Sequence, residues 1–121
     1  WLSLMMRVMI TFRGGVGLVG PMMISSDGRV SEAGGLLFRG GITHNMYRGM
    51  FPGELPMYHA RIVDYISAAC LLFHRQKFLD LGLFDKQFEP AYFEDTDAAA
   101  TFYESGLVTI LQPLAVVVHN E

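Results

Sequence analysis

Three things are scarce in this sequence of 121 residues: cysteine, long apolar runs and an excess of positive charge. A lone cysteine, Cys70, leaves no partner for an internal disulfide and no second thiolate for a zinc site. The longest apolar runs, residues 68–73 and 114–118, are far shorter than the ~18 residues that a membrane-spanning helix needs. Nine Lys and Arg against twelve Asp and Glu give a net charge of −3, whereas nucleic-acid binding requires a basic excess. We therefore expect no zinc knuckle, no transmembrane segment in this chain and no nucleic-acid partner.

The composition that remains is that of a folded domain. Hydrophobic residues make up 51 % of the chain and charged residues 17 %, whereas disordered segments are polar and highly charged. We expect residues 1–121 to form a single partial domain. Because the sequence opens at Trp1 and not at a methionine, we expect it to be an internal piece of a longer protein.

Hydrophobic patterns predict alternating helices and strands. Apolar residues recur at helical spacing over residues 2–12, and Gly14 and Gly15 end that helix. Residues 16–23 have the apolar character of a buried strand, and the turn-forming cluster at 25–28 predicts a hairpin-like element. The later predicted elements are strand-forming residues at 63–73, a helix at 74–81, a helix from residue 95 or 96 to Gly106, and strands at 108–111 and 115–118 on either side of Pro113. Because strands and helices alternate along the chain, we expect an α/β fold.

Residues 34–61 form the least regular segment. They contain six glycines, two prolines and no clean period, over a length greater than the ~12 to 15 residues that are normal for a structureless loop. Two interpretations stay open: a functional lid, or a structural segment that is either an irregular surface excursion or a set of short helical turns that the periodicity misses.

Acidic side chains are concentrated late in the chain. Six acids and one base fall between Asp80 and Asp97, and three of the acids lie within Glu94-Asp95-Thr96-Asp97 at a predicted helix start. One interpretation is capping, with Asp95 or Thr96 as N-cap and Asp97 in the first turn. The other is functional, because repulsion among the acids and shielding by the preceding Tyr-Phe pair would raise a carboxylate's pKa toward that of a general base. The residues alone leave both open.

Seven short motifs follow one another in an order that resembles the family-2 glycosyltransferases. They are VGLVGP at 16–21, DGR at 27–29, EAGG at 32–35, VDYISAAC at 63–70, LGLFD at 81–85, YFEDTD at 92–97 and PLAVVVH at 113–119. The resemblance implies a partial GT-A fold, the nucleotide-diphospho-sugar transferase fold, with a mixed sheet flanked by helices and without the N-terminal nucleotide-binding half. It also implies an inverting enzyme that transfers a sugar from a nucleotide-diphosphate sugar to a hydroxyl of a saccharide or lipid-linked acceptor.

The resemblance also implies roles for individual residues. It makes Asp95 the catalytic base and Glu94 a residue that orients the acceptor, and it makes His119 a ligand of the metal. Ser67, Ala68 and Ala69 are expected near the acceptor together with Asp97, although the family more often has Gly where Ala68 stands.

A divalent cation, Mg²⁺ or Mn²⁺, is the cofactor that the resemblance implies. In the family an Asp-x-Asp pair that ends an earlier strand holds this ion. Asp95-Thr96-Asp97 has the same spacing but opens a later helix, so we expect the metal pair to lie upstream of Trp1 and the isolated chain to be inactive. The implied location is the cytoplasm, with a peripheral position at the inner face of the membrane as an alternative.

Two rival functions stay open. A non-catalytic carbohydrate-binding or scaffolding homologue would lack the upstream Asp-x-Asp pair. A metal-dependent hydrolase that used the acidic cluster would need further His or Asp ligands, which this sequence does not supply.

Overall fold

The computed structural model describes residues 1–56 and 58–120, which form a mixed α/β structure. The helices are α1 (Leu2–Thr11), α2 (Arg75–Asp80) and α3 (Glu94–Glu104). The strands are β1 (Val16–Ile24), β2 (Val30–Glu32), β3 (Gly35–Phe38), β4 (Ile42–Asn45), β5 (Arg61–Val63), β6 (Leu72–Phe73) and β7 (Val108–Val118). Within the described residues, no helix combines the length and the apolar character needed to cross a membrane.

Two long parallel strands, β1 and β7, form the centre of a curled mixed sheet. Strand β2 pairs antiparallel with β1, and β5 pairs antiparallel with β7, in the order β2-β1-β7-β5. Strand β6 also pairs with β1, through Leu18 and Phe73. Every residue of β1 except the last is buried, because neighbours cover both of its faces.

Helices cover the two faces of this sheet. Met5 and Val8 of α1 pack against Val19, whereas Ala98 and Phe102 of α3 pack on the side of Leu18. Because successive strand residues point to opposite faces, α1 and α3 lie on opposite sides. The expected mixed sheet flanked by helices is confirmed, as are the first helix, the β1–β2 hairpin and α2.

Pro113 interrupts the ladder between β1 and β7 without ending the strand. Pro21 lies opposite Gln112, but the next residue, Met22, lies opposite Val116, so β7 carries extra residues at this point. Proline cannot donate to a ladder and is tolerated at such an irregularity. The two strands predicted on either side of Pro113 are therefore one continuous strand.

The segment of residues 34–61 is more regular than the sequence indicates. It contains the antiparallel hairpin of β3 and β4, a short 3₁₀ helix at Pro52–Glu54 and the first residue of β5; position 57 lies outside the described residues. Gly40 and Gly41 both have positive φ in the turn that joins β3 to β4. Both interpretations offered for this segment miss the hairpin, because exposed strands carry little hydrophobic alternation.

Residues 63–73, which are rich in strand-forming residues, contain less strand than that composition indicates. Strand β5 ends at Val63, a 3₁₀ helix follows at Ala68–Cys70, and β6 has only two residues. Tyr65 and Ile66 are buried, but the backbone N–H groups of Ser67 and Ala68 donate to side-chain carboxylates and not to a neighbouring strand. This departure from the sheet creates one wall of the cleft described below.

Candidate active site

An open cleft of about 520 Å³ lies where α3 begins. Its walls come from parts of the chain that are distant in sequence: Glu32 at the end of β2, Thr43 and Asn45 on β4, Arg48, Tyr65, residues 67–69, and residues 91–96. Aromatic, amide and carboxylate groups line it together, which is the mixture found in sites for polar ligands.

Two consecutive aromatic residues with left-handed backbones lead into α3. Tyr92 has φ 81° and Phe93 has φ 71°, a conformation that bulky residues rarely adopt. Phe93 occupies the N-cap position, and within the described residues no side chain caps this end of the helix. The prediction of Asp95 or Thr96 as N-cap is therefore wrong, because the left-handed turn starts the helix at Glu94.

Three donors orient the carboxylate of Asp95. Its Oδ1 accepts from the Thr96 backbone N–H at 2.7 Å and from the Thr96 hydroxyl at 3.3 Å. Its Oδ2 accepts from the backbone N–H of Ala68 at 3.3 Å. Because each carboxylate oxygen has two lone-pair directions, Oδ2 can accept a second donor besides the Ala68 N–H found among the described residues.

Glu94 is the second carboxylate at the cleft wall. It is half-buried, and its Oε2 is shielded from solvent yet makes no hydrogen bond to any described residue. Buried carboxylate oxygens normally have a donor, so Oε2 of Glu94 is an exception among the described residues.

Tyr92 and Phe93 are themselves open to solvent, whereas the sequence predicts that they shield the acids from water. Their side chains are 82 % and 50 % exposed respectively, and both line the open cleft. The left-handed backbone turns them outward, where their rings can contact a ligand.

Two residues at the cleft escaped the sequence analysis as functional candidates. Glu32 is buried, and its Oε1 accepts from the backbone N–H of Ser67 at 2.7 Å. The hydroxyl of Tyr65, also buried, donates to Asn45 at 2.7 Å. Burial raises the pKa of Tyr65, and the charges of Glu32 and Asp95 raise it further, against the effect of a hydrogen bond with Thr43. No signal in the sequence could have paired residues so far apart along the chain.

Five of the seven predicted site residues line this cleft, namely Glu94, Asp95, Ser67, Ala68 and Ala69. Asp97 instead lines a separate hollow with Leu81, Asp85 and Thr101. Burial raises the pKa of Asp97, with further contributions from the charges of Asp85 and Glu104. Its expected role in substrate binding stays a prediction that the cleft geometry does not support.

His119 follows the last residue of β7. Its backbone N–H donates to the carbonyl of Ile24 at 2.9 Å, which extends the parallel pairing of β1 and β7 by one bond. Across residues 1–56 and 58–120, no three His, Cys, Asp or Glu side chains are grouped so that they could hold a metal ion. His119 alone does not make a metal site, and its role as a ligand stays a prediction.

Comparisons with known proteins extend this description. No protein-family model matches the chain. The uncharacterized protein y4gI of Sinorhizobium fredii (strain NBRC 101917 / NGR234) is 30 % identical over 126 residues, which span 100 % of this chain and 14 % of y4gI. A crystal structure of GalNAc-T7 with UDP, GalNAc and Mn²⁺ matches with a TM-score of 0.71 and 14 % identity, over 100 % of this chain and 25 % of that one. The chain has a glycosyltransferase-like fold.

That fold spans only part of each protein to which it is similar, a quarter of the GalNAc-T7 chain and 14 % of y4gI. The expectation of a glycosyltransferase-like α/β fold is confirmed. At 14 % identity the similarity establishes the fold alone, and the reaction has to be argued from the cleft.

Proposed function

We propose that this chain forms the acceptor side of a partial GT-A domain of a family-2, inverting glycosyltransferase. In this proposal a sugar moves from a nucleotide-diphosphate donor to a hydroxyl of a glycan or glycolipid, and Asp95 is the general base. The observation that carries the proposal is the carboxylate of Asp95, which lines an open cleft and is oriented by three hydrogen bonds.

The reaction is a single displacement. The acceptor oxygen forms a bond to the anomeric carbon of the donor while the bond from that carbon to the diphosphate oxygen breaks. The acceptor hydroxyl proton passes to the carboxylate of Asp95. Among the described residues, Oδ2 of this carboxylate accepts one hydrogen bond, from the Ala68 N–H at 3.3 Å. A positioned carboxylate base typically contributes about 10²- to 10⁴-fold to the rate.

Glu94 and the two aromatic residues would hold the acceptor. Glu94 would orient the acceptor from the cleft wall, which its side chain lines beside Asp95. The exposed ring of Tyr92 offers a flat apolar surface for the C–H face of a sugar, and Ser67, Ala68 and Ala69 line the same cleft.

A divalent cation, Mg²⁺ or Mn²⁺, would neutralise the departing diphosphate. The described residues do not assemble a site for it, so we derive no step through the ion. We propose His119 as one ligand that this chain contributes, because it follows the last residue of β7, where the family resemblance implies a ligand; oxygen ligands would complete the coordination.

The test is acceptor-dependent turnover by the complete protein. Purified protein is incubated with a panel of nucleotide-diphosphate sugars, Mn²⁺ and methyl glycosides, and release of nucleoside diphosphate is measured with and without acceptor. We expect release that depends on the acceptor, and a product whose anomeric configuration, read by proton NMR, is opposite to that of the donor. Saccharide binding with no turnover across the panel would favour the non-catalytic homologue, and retained configuration would exclude a single displacement.

A further inference from the structure

Glu32 is a buried carboxylate for which the proposed reaction has no direct use. Its side chain is only 6 % exposed, and burying a carboxylate is costly unless hydrogen bonds compensate. Glu32 lies opposite Met23 in the β1–β2 pairing, and its Oε1 accepts from the backbone N–H of Ser67 at 2.7 Å. This short, charge-assisted bond joins the sheet to the turn that precedes the 3₁₀ helix at Ala68–Cys70.

The next backbone amide along the chain holds Asp95. The N–H of Ala68 donates to Asp95 Oδ2 at 3.3 Å, so two consecutive amides are bound by carboxylates from two different elements. Glu32 lies on the sheet and holds the turn in place, and the turn contacts Asp95 at the start of α3. A shift of the turn would therefore change the direction of the Asp95 carboxylate.

Tight packing around Tyr65 makes this arrangement rigid. The Tyr65 ring lies directly against Gly35, where a Cβ atom would overlap it, and its hydroxyl donates to Asn45 at 2.7 Å. The backbone N–H of Gly35 also donates to the Tyr65 carbonyl at 2.9 Å. The segment that leads into Ser67 is thereby held at both its backbone and its side chain.

We infer that Glu32 is a positioning residue for the proposed base, acting through the Ser67–Ala68 amides and not on the substrate. The inference rests on the proposed function, which assigns the base role to Asp95. The position of the base then depends on the length of the Glu32 side chain, which must bring an accepting oxygen to the Ser67 N–H. A carboxyl-type oxygen must be present at that distance, whether or not it is charged.

Two substitutions separate reach from charge in the complete protein. Glu32→Gln keeps an oxygen at the same distance but removes the charge, and Glu32→Asp keeps the charge but shortens the side chain by one methylene. We expect kcat to fall about tenfold or more in Glu32→Asp, because misplacement by 1 Å alone can cost a large factor in rate. In Glu32→Gln we expect kcat to fall about threefold or less. In both variants the KM for donor and for acceptor should stay within about twofold of wild type. Glu54→Gln is the matched control, since Glu54 also accepts a backbone N–H, from Phe51 at 2.9 Å, but is exposed and lies outside the cleft.

Any of three results would overturn the inference. They are a kcat for Glu32→Gln as low as that for Glu32→Asp, a wild-type kcat for Glu32→Asp, and a rise in KM for either variant without a fall in kcat. If Glu32→Asp does not fold, as judged by circular dichroism, Ser67→Pro removes the same hydrogen bond from the donor side, where φ is already −58°. It should lower kcat about tenfold or more relative to Ser67→Ala, which keeps the N–H, and equal rates would overturn the inference. Turnover by Asp95→Asn at the wild-type rate would instead contradict the proposed function, because it would show that Asp95 is not the general base.

Discussion

At the scale of single residues, the cleft sets an oriented carboxylate beside two exposed aromatic rings. Tyr92 is 82 % exposed although it is large and partly apolar, and its left-handed backbone carries a conformational cost. Strain of this kind is concentrated at functional sites, where the surrounding structure maintains it. The geometry thus favours acceptor binding as the role of this ring.

Replacing Tyr92 tests that role. In Tyr92→Ala we expect the KM for a saccharide acceptor to rise about five- to tenfold, because loss of an aromatic contact costs roughly 1 to 1.5 kcal/mol. The donor KM and kcat should stay within about twofold of wild type, since none of the three hydrogen bonds that orient the Asp95 carboxylate comes from Tyr92. Steady-state kinetics with a methyl glycoside acceptor would measure this.

Tyr103→Ala is the control for Tyr92→Ala. Tyr103 is 74 % exposed on α3 and lies outside the cleft, so its removal should leave the acceptor KM unchanged. An unchanged acceptor KM in Tyr92→Ala, or an equal rise in both variants, would show that the ring does not bind the acceptor.

Residue-scale prediction from sequence succeeded where the chemistry is local. The acidic string identified Glu94 and Asp95, and both line the cleft. It failed on the capping, because no local rule predicts a left-handed Phe93 ahead of the helix. It could not find Glu32, because the partner of this carboxylate is an amide 35 positions later, in a turn that exists only in the folded chain.

At the scale of elements, α3 carries Asp95 and is seated against β1 by Gly17. A Cβ atom at this glycine would overlap the ring of Phe102, so the helix can approach the strand closely only because residue 17 has no side chain. The position of the proposed base therefore depends on packing at the far end of its helix.

Gly17→Ala tests this packing. We expect the free energy of unfolding to fall by about 1 to 3 kcal/mol, because the added methyl group overpacks a filled core. A lower kcat should accompany the loss of stability, since the whole helix must shift. The midpoint of urea denaturation measures the first effect and steady-state kinetics the second.

Gly53→Ala is the matched control, because a Cβ at Gly53 would meet no atom within 4 Å. That variant should change stability by less than about 0.5 kcal/mol. Equal midpoints for wild type and Gly17→Ala would mean that α3 is not held against β1 in this way.

Elements were predictable from sequence where one face is consistently buried. The periodicity of residues 2–12 matches α1, and the apolar run of β1 matches a strand covered on both faces. The hairpin of β3 and β4 was missed, because Phe38 and Ile42 are exposed and leave little pattern. Its turn at Gly40 and Gly41 was the available signal.

At the scale of the whole molecule, the glycosyltransferase-like fold places the end of β1, the end of β7 and Glu32 at one edge of the sheet. Glu32 pairs with Met23, Met23 pairs with Val117, and His119 follows two residues later. The order of the seven motifs predicted this type of fold through its resemblance to the glycosyltransferases. The divalent cation that the resemblance implies stays a prediction, because the described residues do not form a site for it.

His119→Ala tests the proposed contribution of this chain to the metal. In the complete protein we expect the Mn²⁺ concentration for half-maximal activity to rise about tenfold or more, because even groups that only support a metal ligand typically change affinity by 10- to 100-fold. His59→Ala, at an exposed position outside the cleft, should leave the Mn²⁺ requirement unchanged. Identical Mn²⁺ titrations for wild type and His119→Ala would remove His119 from the metal site.

The most direct measurement is the rate of sugar transfer by Asp95→Asn, with donor binding measured on the same preparation. The amide preserves the size of the side chain and one accepting oxygen but cannot take up the acceptor proton, so we predict a kcat lower by about 10²-fold or more with the donor dissociation constant unchanged. Asp80→Asn, on the exposed surface of α2, should transfer sugar at the wild-type rate. Transfer by Asp95→Asn at the same rate as Asp80→Asn would contradict the account.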